Sequence, residues 1–186
     1  LLGTSDRDEG NGVAVDAKGN VYITGHTKGK LDGNTNAGKR DIFLTKFNTD
    51  GTKAWTRQFG TAKDDRGHAV AVDAKGNIYV TGITEGDLID NTSNSIGIQD
   101  VFIIKFNPDG TEQWFMQWGN DNDFTRGNGI AVDAQGNIYI AGDILNITHE
   151  DGMTNEADDI FITKFNADCG VLWTRRWGSV KTDRGH

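Results

Sequence analysis

The sequence predicts an all-β fold built from three copies of one four-stranded antiparallel sheet, and three observations carry that prediction. One motif occurs three times: VAVDAKGNVYITG at 13–25, VAVDAKGNIYVTG at 70–82 and IAVDAQGNIYIAG at 130–142. The spacing is periodic. Trp55, Trp114 and Trp173 stand 59 residues apart, as do Asp41, Asp100 and Asp159, whereas Asp16, Asp73 and Asp133 are 57 and then 60 apart, so length variation falls in the loops. The composition sets 25 glycines and a single proline, with many Asn, Asp and Thr, between short β-branched and aromatic runs, and no amphipathic helical segment interrupts them.

Each element follows from its residues. The repeated motif reads as a hairpin: two apolar runs flank an Asp-Ala-Lys/Gln-Gly-Asn turn in which glycine supplies a positive φ and the aspartate binds turn backbone. An isolated hairpin is marginal in water, so the copies are expected to bury one another. In the first unit, residues 1–12 read as a linker from a preceding repeat, and strands are expected at 13–15 and 21–24. Residues 26–40 are too rich in Gly, Asn and Lys for a buried strand, and 41–48 and 53–59 supply the third and fourth strands around a turn at 48–51. The second unit has these at 100–107 and 112–118, and the third at 159–166 and 171–177. The units are therefore 13–60, 61–119 and 120–178, with 179–186 a linker equivalent to the one that opens the chain.

In the third strand Phe102, Ile104 and Phe106 alternate with Val101 and Ile103, so both faces are apolar, as a sheet sandwiched between two neighbours requires. Trp114, Met116 and Trp118 share one face of the fourth strand, as do Trp55, Arg57 and Phe59, and both sets read as packing between sheets. Four strands per unit at this period indicate propeller blades. Closed propellers take about 4–8 blades. Three blades are thus expected to be a partial propeller, or half of a six-bladed ring closed by head-to-tail self-association.

The units resemble the SBBP β-propeller repeat family. Its linked motifs read here as Gly67 to Gly82, Asp100 to Asn107 and Trp114 to Gly119, with matching segments in the other two units. A weaker similarity runs to NHL-type propellers through the V-D-x-x-G-N-I-Y hairpin. The resemblance implies a prokaryotic surface or secreted protein, usually in longer arrays, with no shared catalytic residues.

A net charge of −8 argues against a general nucleic-acid or anionic-membrane binder, and no apolar run is long enough to span a membrane. Lone Cys169 excludes an internal disulfide framework and is read as replacing an Asp- or Asn-like turn residue. The histidines show no zinc spacing, and no nucleophile elbow, phosphate loop or dinucleotide fingerprint occurs. Asp16, Asp73 and Asp133 are read as turn caps. Asp41, Asp100 and Asp159 are read as partners of the linker arginines Arg66, Arg126 and Arg184, because recurrence in every blade points to architecture rather than catalysis. Trp55, Trp114 and Trp173 complete this structural set. No cofactor is expected; calcium is the best metal candidate, at the oxygen-rich stretches 120–123 and 143–158, neither of which has EF-hand spacing.

Differences between blades concentrate after the hairpin. Residues 26–40 carry Lys28, Lys30, Lys39 and Arg40 against Asp32, net +3, while 83–99 carry net −3 and 143–158 net −5. A binding rim is therefore expected at Lys28, Lys30, Lys39, Arg40, Asp87, Asp90, Asp121, Asp123, Glu150 and Asp151, since scaffolds hold function on loops. The expected partners are a second copy or flanking repeats, with a protein or glycan on the rim. The function read from the sequence is a non-catalytic structural or protein-interaction module. The rivals are a carbohydrate-binding propeller, for which Phe124 is the one loop aromatic, and a fragment of a propeller hydrolase or lyase.

Overall fold

The computed structural model describes residues 3–88, 98–119, 123–150 and 153–178, with side chains described for all of these except 146–150 and 153–158. Among the described residues, twelve strands form three antiparallel sheets in simple up-and-down order. Blade 1 holds β1 (Asp8–Val15), β2 (Val21–Thr27), β3 (Asp41–Phe47) and β4 (Lys53–Phe59); blade 2 holds β5 (Asp65–Val72), β6 (Ile78–Thr84), β7 (Asp100–Phe106) and β8 (Glu112–Trp118). Blade 3 holds β9 (Asp123–Val132), β10 (Ile138–Glu150), β11 (Met153–Phe165) and β12 (Val171–Trp177). The fold is the all-β set of propeller blades that the repeat period requires. Among the described residues the one helical element is a 3-10 turn at Leu31–Gly33, and no helix is long and apolar enough to cross a membrane.

The first strands β1, β5 and β9 lie side by side, so the sheets are stacked like the leaves of an open fan. Two cores fill the gaps between leaves. Tyr22, Ile42 and Leu44 of blade 1 meet Val70, Ile78, Val80, Phe102, Ile104 and Phe106 of blade 2. Tyr79, Val101 and Ile103 of blade 2 then meet Ile138, Ile140, Phe161 and Phe165 of blade 3, with Trp114, Met116 and Trp118 packed against them. β7 is buried on both faces because it serves both cores at once. On the outer leaves the same repeat positions are bare: Val13 is 67% and Val15 60% exposed on blade 1, and Ile160 is 60% and Trp177 55% exposed on blade 3.

Two strand expectations need correction. β1 begins at Asp8 rather than at Val13, because the inner strand continues through a bulge that carries no apolar alternation. In blade 3, residues 143–158 are not a loop. β10 and β11 stay paired from Ile138–Phe165 out to Glu150–Met153, since ladder bonds join main chain to main chain and do not require apolar side chains.

Candidate functional site

The repeated turn is held by its aspartate. Asp73 Oδ1 accepts from the Lys75 and Asn77 backbone amides, both at 2.8 Å, and Oδ2 accepts from Asn77 Nδ2 at 2.7 Å and from Tyr79 Oη at 3.1 Å. Asp16 and Asp133 make the same four bonds in their own blades. Partial burial pushes the Asp73 carboxyl upward, but the bonds from Asn77, Tyr79 and Lys75 outweigh it and hold the group below its ordinary range. Such a group stabilises the fold fully above the unfolded-state pKa, and the contribution is lost as pH falls through the folded-state value. Asp73→Ala is expected to cost about 1–2 kcal/mol at neutral pH, allowing for solvent screening, and progressively less as the pH falls below the ordinary carboxylate range. Urea melts at pH 7 and pH 3 check this; an equal loss at both would refute it.

Above each turn the β2-type tyrosine, the β3-type lysine and the β4-type tryptophan stand in register on one face. Lys46, Lys105 and Lys164 sit 5.4, 5.4 and 5.1 Å from the ring centroids of Tyr22, Tyr79 and Tyr139. Trp55, Trp114 and Trp173 lie beside those tyrosines, with centroids 6.3, 6.2 and 6.4 Å apart. Trp55 and Trp114 thereby pack into the blade junctions. The clefts between successive turns are small, about 90 Å³ between the Asp16 and Asp73 turns and about 170 Å³ between the Asp73 and Asp133 turns.

The third-strand aspartates are held differently from the expected arginine pairing. Asp41 Oδ2 accepts from Gln58 Nε2 at 3.0 Å and from the Ala37 amide at 2.8 Å; Asp100 accepts from Gln117 at 2.7 Å; Asp159 accepts from Arg176 Nε at 2.5 Å. The donor is thus the neighbouring strand of the same sheet, within hydrogen-bond reach across the ladder; for Asp41 and Asp100 it is not the linker arginine, and Arg184, the expected partner of Asp159, lies outside the described residues. The linker pair that does form has its roles reversed: Arg40, just before β3, binds linker Asp64 at 2.5 Å. Parallel bridges Arg40–Asp64 and Gln99–Phe124 stitch each linker to the preceding blade. The glycine that ends each unit belongs to the same construction, since a Cβ on Gly119 would stand 1.9 Å from Asp100 Oδ1. At Gly60 the Asp41 and Asp65 carboxylates both crowd the space. Burial, foremost, raises both of those carboxyls, so they act with the opposite sign to Asp73: their stabilisation is present at low pH and lost as pH rises through the folded-state values.

A second repeated device has no signature in the sequence. Asn11, His68 and Asn128 occupy a bulge in the inner strand of each blade. From there Asn11 Nδ2 donates to the Gly67 carbonyl of blade 2 at 2.8 Å, and His68 Nδ1 bonds the Gly127 carbonyl of blade 3 at 3.0 Å. A carbonyl only accepts, so His68 carries its proton on Nδ1. Asn128 instead donates to Asp143 of its own blade.

Cys169 takes the position of a glycine rather than of an Asp- or Asn-like residue. It has φ 65, where Gly51 and Gly110 have φ 80 and 81, and its amide closes the turn on Asn166 as theirs close on Asn48 and Asn107. Its Sγ lies 3.8 Å from Met116 Sδ at the blade 2–blade 3 junction, in the place that Arg57, set against the Asp109 and Gly110 carbonyls, fills at the blade 1–blade 2 junction. Burial pushes the Cys169 thiol up to about 12.

The rim residues are dispersed. Lys28 and Lys30 are exposed and line an open groove of about 600 Å³ with residues 3–6, Gly29 and Asn36. Lys39 is exposed, Arg40 is engaged by Asp64, Asp87 lies half-buried after β6, and Asp123 opens β9. Glu150 ends β10, with its side chain outside the described set, and Asp90, Asp121, Asp151 and Arg184 lie outside the described residues. Phe124 is a strand residue with the Arg126 guanidinium 5.8 Å from its ring, not a free loop aromatic. Among the described residues no three His, Cys, Asp or Glu side chains gather as a metal-ion ligand set.

The chain is similar to known proteins in its family profile, its sequence and its fold. The β-propeller repeat family profile matches residues 1–32, 54–90 and 113–146. An uncharacterized WD repeat-containing protein of Acanthamoeba polyphaga mimivirus is 27% identical over 175 residues, covering 78% of this chain and 12% of that protein. The regulatory protein FlaEY of Caulobacter vibrioides is 29% identical over 121 residues, covering 60% of this chain and 13% of that protein. The chain therefore spans about an eighth of the length of these relatives. Among solved structures, a mutant of the Synechocystis apocarotenoid oxygenase superposes with a TM-score of 0.47 at 12% identity, over 95% of this chain and 38% of that one.

Proposed function

Starting from the fact that this chain belongs to the β-propeller repeat family, we propose that it is a non-catalytic scaffold module, which joins further blades through its two outer faces and meets a partner on its variable rim. One observation carries the reading. The side chains that recur in every blade are engaged in turns, sheet faces and blade junctions, whereas Lys28, Lys30 and Lys39, which differ from their equivalents in the other blades, stand exposed after β2. Val13, Val15, Ile160 and Trp177 support the joining role, since their equivalents at the inner junctions pack into the cores. The opposite charges of the blade 1 and blade 3 rim segments suit head-to-tail contact and would set register more than affinity. The family resemblance supports a module at the surface of, or outside, a prokaryotic cell.

Sedimentation velocity over a range of concentrations tests the joining role. The wild-type chain is expected to associate, and Trp177→Asp or Val15→Asp to weaken that association at least about tenfold by putting a charge in an apolar contact. A stable monomer at every concentration would refute self-association. Turnover of glycoside or ester substrates by the purified chain would refute the non-catalytic reading.

A further inference from the structure

We propose that the rim end of the junction between blades 1 and 2 is an oxyanion site centred on the Arg66 guanidinium, taking a carboxylate or phosphate group. The internal repeat supplies the comparison. In blade 3 the equivalent Arg126 has its acceptors built in: Nε donates to Gln99 Oε1 at 3.2 Å, and Nη1 lies 3.9 Å from Asp143, its partner across the β9–β10 ladder. In blade 2 both acceptors are gone. The ladder partner of Arg66 is Ile83, and the position of Gln99 is held by Arg40. Arg66 Nε is consequently buried with no acceptor, and Arg40 Nε is likewise buried and unpaired.

The local charges explain why no carboxylate among the described residues fills the gap. Among the described residues none lies within 4.0 Å of Arg66. Asp64 is engaged by Arg40, and Glu9 is engaged by Arg7 and faces His26 at 3.7 Å. The backbone brings these groups together: Asn11 Nδ2 lies 3.5 Å from His26 Nδ1 and donates to the carbonyl of Gly67, next to Arg66, while Arg40 bridges to Asp64, two residues before Arg66. Asn36 Nδ2, on the loop leading to Arg40, is a third buried donor without an acceptor, and Asn36 shares an open groove with the exposed Lys28 and Lys30. A buried guanidinium donor left unpaired is costly, and its planar fork matches the two oxygens of a carboxylate or phosphate. A bound oxyanion satisfies the orphaned donors and offsets the clustered positive charge.

The site is tested on the wild-type chain, labelled with ¹⁵N and titrated with sodium phosphate and, separately, with sodium acetate, at ionic strength held constant with sodium chloride. The Arg66 Nε–H resonance is expected to shift saturably with at least one of them, and the arm that saturates assigns the site to phosphate or to carboxylate. The His26 ring should then titrate at higher pH, because a nearby anion favours its charged form. Arg66→Gln should weaken binding at least about tenfold, while Arg126→Gln leaves it unchanged. The proposal is overturned if neither anion gives a saturable shift at Arg66, or if shifts spread evenly over Lys28, Lys30 and Lys39. Unaltered binding in Arg66→Gln would overturn it too. Should that variant fail to fold, the wild-type titrations decide alone.

Discussion

Gly82→Ala is expected to destabilise the chain by about 3 kcal/mol or more, which places it among the severe single substitutions. Gly82 pairs with Gly67 beside the β5 bulge, and a Cβ there would stand 1.9 Å from the Arg66 carbonyl oxygen and 3.0 Å from the His68 amide nitrogen. The obstruction is backbone, so no rotamer change relieves it; the bulge itself must shift, and with it the His68 bond to blade 3. Gly25 and Gly142 face the same obstruction from Glu9 and Arg126. Gly51→Ala is the control. Gly51 has φ +80, and a Cβ there would meet nothing within 4 Å, so the cost is only that of the left-handed backbone, about 1 kcal/mol. Urea unfolding of the two variants separates the mechanisms, and equal midpoints would refute the bulge argument.

The second large effect is at Phe102. The ring is fully buried at the centre of the blade 1–blade 2 core and lies 6.4 Å, nearly parallel, from Phe115. Phe102→Ala should cost about 3–5 kcal/mol, the lost transfer energy plus the cavity, which neighbours on two different sheets cannot close together. Trp177→Ala removes a larger side chain but one that is 55% exposed on the outer leaf, and should cost less than about 1 kcal/mol. Thermal unfolding of both variants gives the comparison; a larger loss at Trp177 would mean that the outer leaf is covered in solution.

The architecture is legible wherever a physical requirement falls on a fixed residue type. Asp73, Gly76, Asn77 and Tyr79 are all needed by one turn, so the turn declares itself three times, and the apolar faces of β7 declare its two neighbours. Devices with interchangeable residues stay hidden. A bulge asks only for one extra residue with a donor, so Asn11 and His68 serve alike and leave no pattern. The pairing of Asp41 with Gln58 is masked because Arg176 replaces the glutamine in blade 3, and charge points to the linker arginines instead. At the junctions Gly110 with Arg57, and Cys169 with Met116, are two solutions to one packing problem, recognisable only once the turn and the neighbouring strand are seen together. The Arg66 site has the same origin: it is defined by what Arg40 and Ile83 fail to supply, and an absent acceptor has no sequence signature.

The inter-blade bonds of Asn11 and His68 end on main-chain carbonyls, and that has a consequence for descent. A donor that reads backbone is indifferent to the side chains of the blade it meets, provided the bulge glycine is kept. A gene segment encoding one blade, copied in tandem, therefore yields a unit already fitted to its neighbours on both sides, and each copy is then free to diverge at its rim. Asn128, turned back onto Asp143, is the one of the three bulge donors that stays within its own sheet.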